Sequence, residues 1–182
     1  MVLHPWHEVS VGSNPPENIN GIIEIPKGSR AKYEIDKPSG LIKLDRVIYA
    51  SMYYPLNYGF IPQTLGEDHD PLDIVVLTQV SVVPLCLIPS KVIGVMRMVD
   101  RGEADDKIIA VLENDNVWGQ ATSLNDVPKI LVERLCHYFS TYKLIPGRQN
   151  TVSIEQVYDA DHAFRVVQAS MADYLDVFGE HD

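Results

Sequence analysis

Glu67-Asp68-His69-Asp70-Pro71-Leu72-Asp73-Ile74-Val75-Val76-Leu77 sets four carboxylates within seven residues and runs straight into four apolar ones. The apolar run has the pattern of a buried strand, which holds Asp73 rigidly at a strand end. Crowded carboxylates raise one another's pKa and cost stability unless a cation sits among them. Oxygen-only clusters of this kind suit hard divalent ions such as Mg²⁺, Mn²⁺ or Ca²⁺.

Strand patterns continue on both sides of this stretch. Residues 22–25 form an apolar run that stops at Pro26, and Lys32, Glu34 and Asp36 alternate with Tyr33 and Ile35. Lys37-Pro38-Ser39-Gly40 is a turn, since Pro presets φ and Gly permits positive φ; it makes a hairpin into 41–49. Strands are further predicted at 72–78, 91–99 and 107–112. The period then changes. Val127, Ile130, Leu131, Leu135, Tyr138, Phe139 and Tyr142 recur at helical spacing, with Asp126 as N-cap and Pro128 in the first turn. Phe164, Val167, Met171, Leu175 and Phe178 predict a second amphipathic helix capped near Asp161. Strands first and helices last imply an α+β fold, a twisted β-barrel with helices packed on its outside. Residues 1–19, with their Pro, Asn and Ser, read as an extended N-terminal arm. No repeat, linker or composition break divides the chain, so 1–182 reads as one domain.

At 182 residues, 46% hydrophobic and 22% charged, the composition is that of a globular domain able to bury a core. No apolar run approaches the roughly 20 residues that span a bilayer, and the N-terminus lacks a basic leader. Cys86 and Cys136 lie far apart in apolar contexts and read as buried free thiols of a reducing compartment, which places the protein in the cytoplasm. The net charge of −10, from 15 Lys plus Arg against 25 Asp plus Glu, repels nucleic acid. An anionic substrate is repelled as well, unless bound metals reverse the local sign.

A second acidic cluster, Asp100-Arg101-Gly102-Glu103-Ala104-Asp105-Asp106-Lys107, lies between two apolar strands. Alone it reads as a solvated hairpin loop. Beside the first cluster, it offers carboxylates to one shared set of metals. Lys32, Arg46, Lys107 and Lys143 are each unremarkable as surface cations, and Tyr54, Tyr58 and Tyr142 as half-buried phenols. Together, carboxylates, cations and phenols without an obvious nucleophilic Ser or Cys suit phosphoryl transfer to water, a reaction of charge neutralisation and positioning. His69 reads as a spectator, since hard cations prefer the oxygens beside it. No G-x-G-x-x-G or Walker-type motif is present, which argues against a nucleotide as obligatory substrate.

These residues closely resemble the family I soluble inorganic pyrophosphatases. Asp68-His69-Asp70-Pro71-Leu72-Asp73 is similar to that family's metal-binding stretch, Asp-x-Asp-Pro-hydrophobic-Asp. Lys32-Tyr33-Glu34-Ile35-Asp36-Lys37, Asp45-Arg46, Tyr54-Pro55-x-Asn57-Tyr58-Gly59-Phe60-Ile61-Pro62, Asp105-Asp106-Lys107-Ile108-Ile109-Ala110-Val111 and Tyr142-Lys143 match in the same order. The resemblance implies a five-stranded OB-like β-barrel flanked by two main α-helices late in the chain. It implies hydrolysis of pyrophosphate to two orthophosphates with several Mg²⁺ per site, Mn²⁺ being a possible substitute. On the matching positions, Asp68, Asp73, Asp100 and Asp105 would bind the metals, with Glu24 reaching another through water. Asp70 would accept the proton of a water bridging two metals. Lys32, Arg46, Tyr58, Tyr142 and Lys143 would grip the phosphates, and Glu34, Tyr54 and Lys107 would complete the polar site.

The chain departs from the family pattern at His69, where a small or acidic residue is more usual. Arg101 stands where some bacterial members have Glu, and Leu85-Cys86 replaces a common Pro-Gly turn. His4-Pro5-Trp6-His7 and Gly102-Glu103-x-Asp105-Asp106-Lys107 are similar to the branch that contains plant-type members. Rival readings are a broader metal-dependent phosphohydrolase acting on polyphosphate or nucleotides, and a non-enzymatic OB-type binding module; the latter wants a basic groove with exposed aromatics. A calcium module would explain the Asp-rich loop alone, but the EF-hand spacing is missing. No membrane partner is expected, and the compact length resembles hexameric prokaryotic members more than dimeric eukaryotic ones, so a homo-oligomer, a hexamer over a dimer, is expected.

Overall fold

The computed structural model describes residues 3–179. In chain order it contains β1 (Asn18–Ile25), β2 (Ala31–Ile35), β3 (Ile42–Val47), β4 (Asn57–Phe60), β5 (Asp73–Leu77), β6 (Cys86–Asp100), β7 (Glu103–Ala104), β8 (Lys107–Leu112), α1 (Lys129–Thr141), β9 (Val152–Asp159) and α2 (Ala160–Phe178). Strands β1, β4, β5, β8 and β6 pair in that order, and β6 pairs back onto β1, closing a ring of five. The fold is α+β: a five-stranded OB-like barrel with two late helices. β2 and β3 form a separate two-stranded sheet.

The ring closes because β1 serves two neighbours. Residues 18–23 pair with β6 and residues 22–25 with β4, the second pairing carrying a register shift between Ile23 and Ile25. β6 bends similarly between Val92 and Gly94. A Cβ on Gly94 would come within 2.7 Å of the Leu124 side chain, so glycine is what lets the following turn lie over the bend. Alternation along the strands then sorts the core. Ile74, Val76, Ile108 and Ala110 join Ala163 and Val167 of α2, whereas Val75, Leu77, Ile109 and Val111 join Leu135, Tyr138 and Phe139 of α1.

Several expectations change in detail. Asp126 does not cap α1: its carboxylate accepts from Thr122 N and Ser123 N and closes a box around the 3₁₀ turn Leu124–Asp126, leaving Pro128 as N-cap. Pro lacks an N–H and presets φ, so it starts the helix without a side-chain bond. β9 enters between the two helices and extends the sheet from β6. In α2 the buried stripe is Ala160, Ala163, Val167, Ser170 and Tyr174, while Leu175 and Phe178 are largely exposed. Small residues allow the helix to approach the strands closely, and the bulkier apolar residues are displaced to the flank. The arm is not simply extended either. Residues 5–8 form a turn that buries Trp6 among Ile22, Phe60, Leu65 and Tyr174. Cys86 and Cys136 are free, but half-buried instead of fully buried. No helix among the described residues is long and apolar enough to cross a membrane.

Candidate active site

Register builds the centre of the site. β5 and β8 run parallel with Asp73 opposite Lys107, so the first residues of two strands 34 positions apart meet side by side. Lys107 Nζ lies 2.6 Å from Asp73 Oδ2 and 2.7 Å from Asp105 Oδ1, with its side chain 2% exposed. The rings of Tyr58 and Phe139 each stand 5.5 Å from the ammonium. Burial alone would pull the Lys107 pKa down, but Asp73 and Asp105 hold it up, so it stays charged. Burial pushes the Asp73 carboxyl up, with Asp105 adding to the rise and Lys107 opposing it. Burial acts the same way on Asp105, where the Lys107 charge wins and its pKa is lowered.

Around this core the barrel mouth opens into a cleft of about 570 Å³ lined by residues from both acidic loops. The first loop is a tight turn. Gly66 N donates to Asp70 O at 2.7 Å, Asp70 N donates to Asp68 Oδ1 at 3.1 Å, and His69 adopts a left-handed φ of 63°. Burial raises the Asp68 pKa, and the Asp70 and Asp105 charges add to it. The second loop is a two-residue hairpin in which Arg101 and Gly102 both take positive φ, as such turns require. Asp100 ends β6 there, paired with Lys143 and accepting from Thr151 Oγ1 at 2.7 Å. The third wall is the β2–β3 hairpin. Lys32 Nζ lies 3.1 Å from Asp45 and 3.3 Å from Glu34.

Glu24, Lys32, Glu34, Tyr58, Asp68, Asp70, Asp73, Asp100, Asp105, Lys107, Tyr142 and Lys143 all line this one cleft. Two expected residues do not. Tyr54 is a core residue, 2% exposed, its ring 5.0 Å from that of Tyr138. Arg46 points its Nε to Asp45 at 2.8 Å and is more than half exposed on the hairpin rim. Asp36, Lys37 and Lys43 also line the cleft, although the resemblance assigns them no role. Lys37 and Asp36 sit in a segment whose Pro and Gly announce a turn, and turn chemistry hides the charges it carries. Leu85 takes a φ of 63° and donates from its N–H to Ile23 O, so the turn before β6 forms without a glycine.

Among the described residues no three carboxylates or imidazoles stand close enough together to cage an ion as they are. Their oxygens are turned toward Lys107, Lys143 and Lys37. The donor chemistry nevertheless fits a hard dication: Asp68, Asp73, Asp100 and Asp105 present only oxygens, into one cavity, where burial and the neighbouring carboxylates hold the pKa values of Asp73 and Asp68 up.

Glu24 offers an independent check on that electrostatic picture. It is 7% exposed, and one backbone donor, Ile35 N at 2.7 Å, serves its carboxylate. Burial, aided by the Asp73 and Glu34 charges, pushes its pKa up to about 8. A carboxyl whose folded pKa exceeds its unfolded value binds more protons when folded, so it removes stability as pH climbs from about 4.3 through 8. Metal-free Glu24→Gln should match the wild type in urea melts at pH 5 and exceed it at pH 9, by on the order of 4 kcal/mol. An equal gap at both pH values would show that Glu24 is not the strained group.

Comparison with known proteins agrees with the fold. The family model described as inorganic pyrophosphatase matches residues 21–175. The chain is 42% identical over 181 residues to a soluble inorganic pyrophosphatase of Oryza sativa subsp. indica, covering 100% of this chain and 82% of that protein. Against the crystal structure of the Thermus thermophilus inorganic pyrophosphatase the TM-score is 0.87 at 37% identity, over 91% of this chain and 96% of the other. The type I enzyme of Toxoplasma gondii superposes with a TM-score of 0.88 at 28% identity, over 97% and 89% of the two chains. A ring of five strands, two acidic loops meeting over a buried lysine, and a match along nearly the whole chain have one explanation: this protein belongs to the inorganic pyrophosphatase family.

Proposed function

We propose that the protein hydrolyses inorganic pyrophosphate to two orthophosphates with Mg²⁺ as cofactor, through direct attack of water and without a covalent intermediate. The observation that carries this reading is the convergence of Asp68, Asp70, Asp73, Asp100 and Asp105 with Lys32, Lys107 and Lys143 in a single cleft. Asp68, Asp73, Asp100 and Asp105 would hold the metal ions, and Glu24 lies deeper in the same wall. When bound, those ions would supply Lewis-acid activation of water and neutralise the substrate's charge.

The side chains divide the remaining work. Asp70, half exposed on its turn, holds the attacking water and takes its proton. Lys32, paired here with Glu34 and Asp45, and Lys143, paired with Asp100, would turn to grip phosphate oxygens, aided by the Tyr58 and Tyr142 hydroxyls; Arg46 would join from the rim. Lys107 bridges Asp73 and Asp105 and favours the charged form of both. The same reading makes the protein cytoplasmic and homo-oligomeric. Two free cysteines support the first, and exposed Val83, Leu175 and Phe178 support the second.

Orthophosphate release from pyrophosphate, polyphosphate and ATP, each with Mg²⁺ and with chelator, tests the proposal. Turnover of pyrophosphate alone, abolished by chelator, is expected. Faster release from ATP or polyphosphate would favour a broader phosphohydrolase, and release that survives chelation would remove the metals from the reaction.

A further inference from the structure

Beyond the carboxylates and the substrate-facing cations, the structure ties the two walls of the cleft together through the N-terminal turn. On one side, His4 Nε2 donates to Lys37 O at 2.8 Å. Because Trp6 N donates to His4 Nδ1 at 3.3 Å, the ring is the neutral tautomer carrying its proton on Nε2. The 36–40 turn rests on this segment: Gly40 has φ of 71°, and a Cβ there would come 3.0 Å from Pro5 and 3.1 Å from His4. On the other side, Trp6 Nε1 donates to Thr64 O at 2.9 Å, and Gln63 N donates to Trp6 O at 2.9 Å. Thr64 Oγ1 in turn accepts from Leu72 N at 3.0 Å, across the base of the first acidic loop.

The product of this arrangement is the placement of Lys37. Its ammonium pairs with Asp70 and donates to His69 O at 3.3 Å, reaching from the hairpin wall to the acidic loop. The side chain is 47% exposed, and ion pairs of such exposure contribute little to stability. An ammonium beside the residue that holds the attacking water stands beside the phosphoryl group under attack.

We propose that residues 4–7 form a clasp that sets Lys37 at the cleft mouth, with Lys37 an additional phosphate-gripping cation and His4 its positioning residue. The inference rests on the pyrophosphatase reading for the role of Lys37; the clasp itself is independent of it. Lys37→Met should lower kcat/KM for pyrophosphate about 10- to 100-fold, the size of one charge-assisted hydrogen bond, and Lys37→Arg should recover part of that. His4→Ala should lower it about 3- to 10-fold, with His4→Gln, whose amide can still donate to Lys37 O, closer to wild type. Coupling is the decisive readout: His4→Ala added to Lys37→Met should cost nothing further. Hydrogen exchange on the free enzyme supplies a measure without turnover. In His4→Ala the Gly40 amide, bonded to Asp36 O at 2.7 Å, should exchange faster while the β5 amides do not change.

Additive losses, full kcat/KM in Lys37→Met, or unchanged Gly40 exchange each overturn the proposal. Should His4→Ala fail to fold, His4→Gln and the two Lys37 variants decide it. A wild-type enzyme that leaves pyrophosphate intact refutes the functional reading instead, and the exchange experiment still judges the clasp.

Discussion

Replacing Asp70 with asparagine is expected to lower kcat about 10²- to 10⁴-fold, with the melting temperature and Mg²⁺ affinity close to wild type. The expectation follows from where Asp70 stands. Its side chain is half exposed, its ionic partner Lys37 is equally open, and the turn is held by the backbones of Gly66 and Asp70 and by the Asp68 carboxylate. Little of the fold depends on its charge. Asparagine preserves the shape and removes the ability to take a proton, so the loss should fall on the chemical step. Steady-state kinetics with a Mg²⁺ titration check this, and a variant turning over within a few-fold of wild type would take Asp70 out of the role of base.

Lys107→Met should have the largest effect on stability. The ammonium is buried between Asp73 and Asp105, and removing it strands two carboxylates in a site with little access to water. Breaking a buried ion pair by deleting one partner costs about 3–5 kcal/mol. In chelator, urea melts of Lys107→Met should show a loss of this order. Saturating Mg²⁺ should recover more stability in the variant than it adds to wild type, because a dication binding only the folded state supplies the missing positive charge. Equal Mg²⁺ effects in the two proteins would mean that Lys107 and the metals do not act on the same carboxylates. Methionine retains the length of the stem, so packing against Tyr58 and Phe139 is disturbed little.

Much of the barrel could be read before any coordinates because its strands are short and apolar and punctuated by Pro and Gly. The runs at 72–78 and 107–112 are β5 and β8 nearly at the expected boundaries, whereas the run at 22–25 is only the end of β1, which begins at Asn18. β4 and β9 are not legible in the same way, for opposite reasons. In Asn57-Tyr58-Gly59-Phe60 a glycine interrupts the apolar pattern; in the fold it permits close approach, since a Cβ there would lie 1.8 Å from Ile22 O. Val152–Asp159 carries only half-apolar alternation and gains its strand identity from pairing with the long β6. In α2 the expected Val167 is buried and Phe164 and Met171 pack beside it, but Leu175 and Phe178 lie outside a stripe that runs through the small residues Ala160, Ala163 and Ser170, whose size no apolar spacing reveals.

The candidate site divides along the same line. Which residue types gather there, carboxylates in two loops with lysines and tyrosines nearby, is written in local sequence, since charge density and strand ends are local properties. Their sharing of one cleft is not local. It arises because β5 and β8 run in parallel and in register, which brings Asp73 and Lys107 together from distant parts of the chain. The same closure sends Tyr54 into the core, leaves Arg46 on the rim, and brings His4 to the carbonyl of Lys37. Sequence alone therefore determined the chemistry this protein can command. Only the tertiary structure decided which charges face one another, because contact across a closed barrel depends on register and closure that no short stretch of residues encodes.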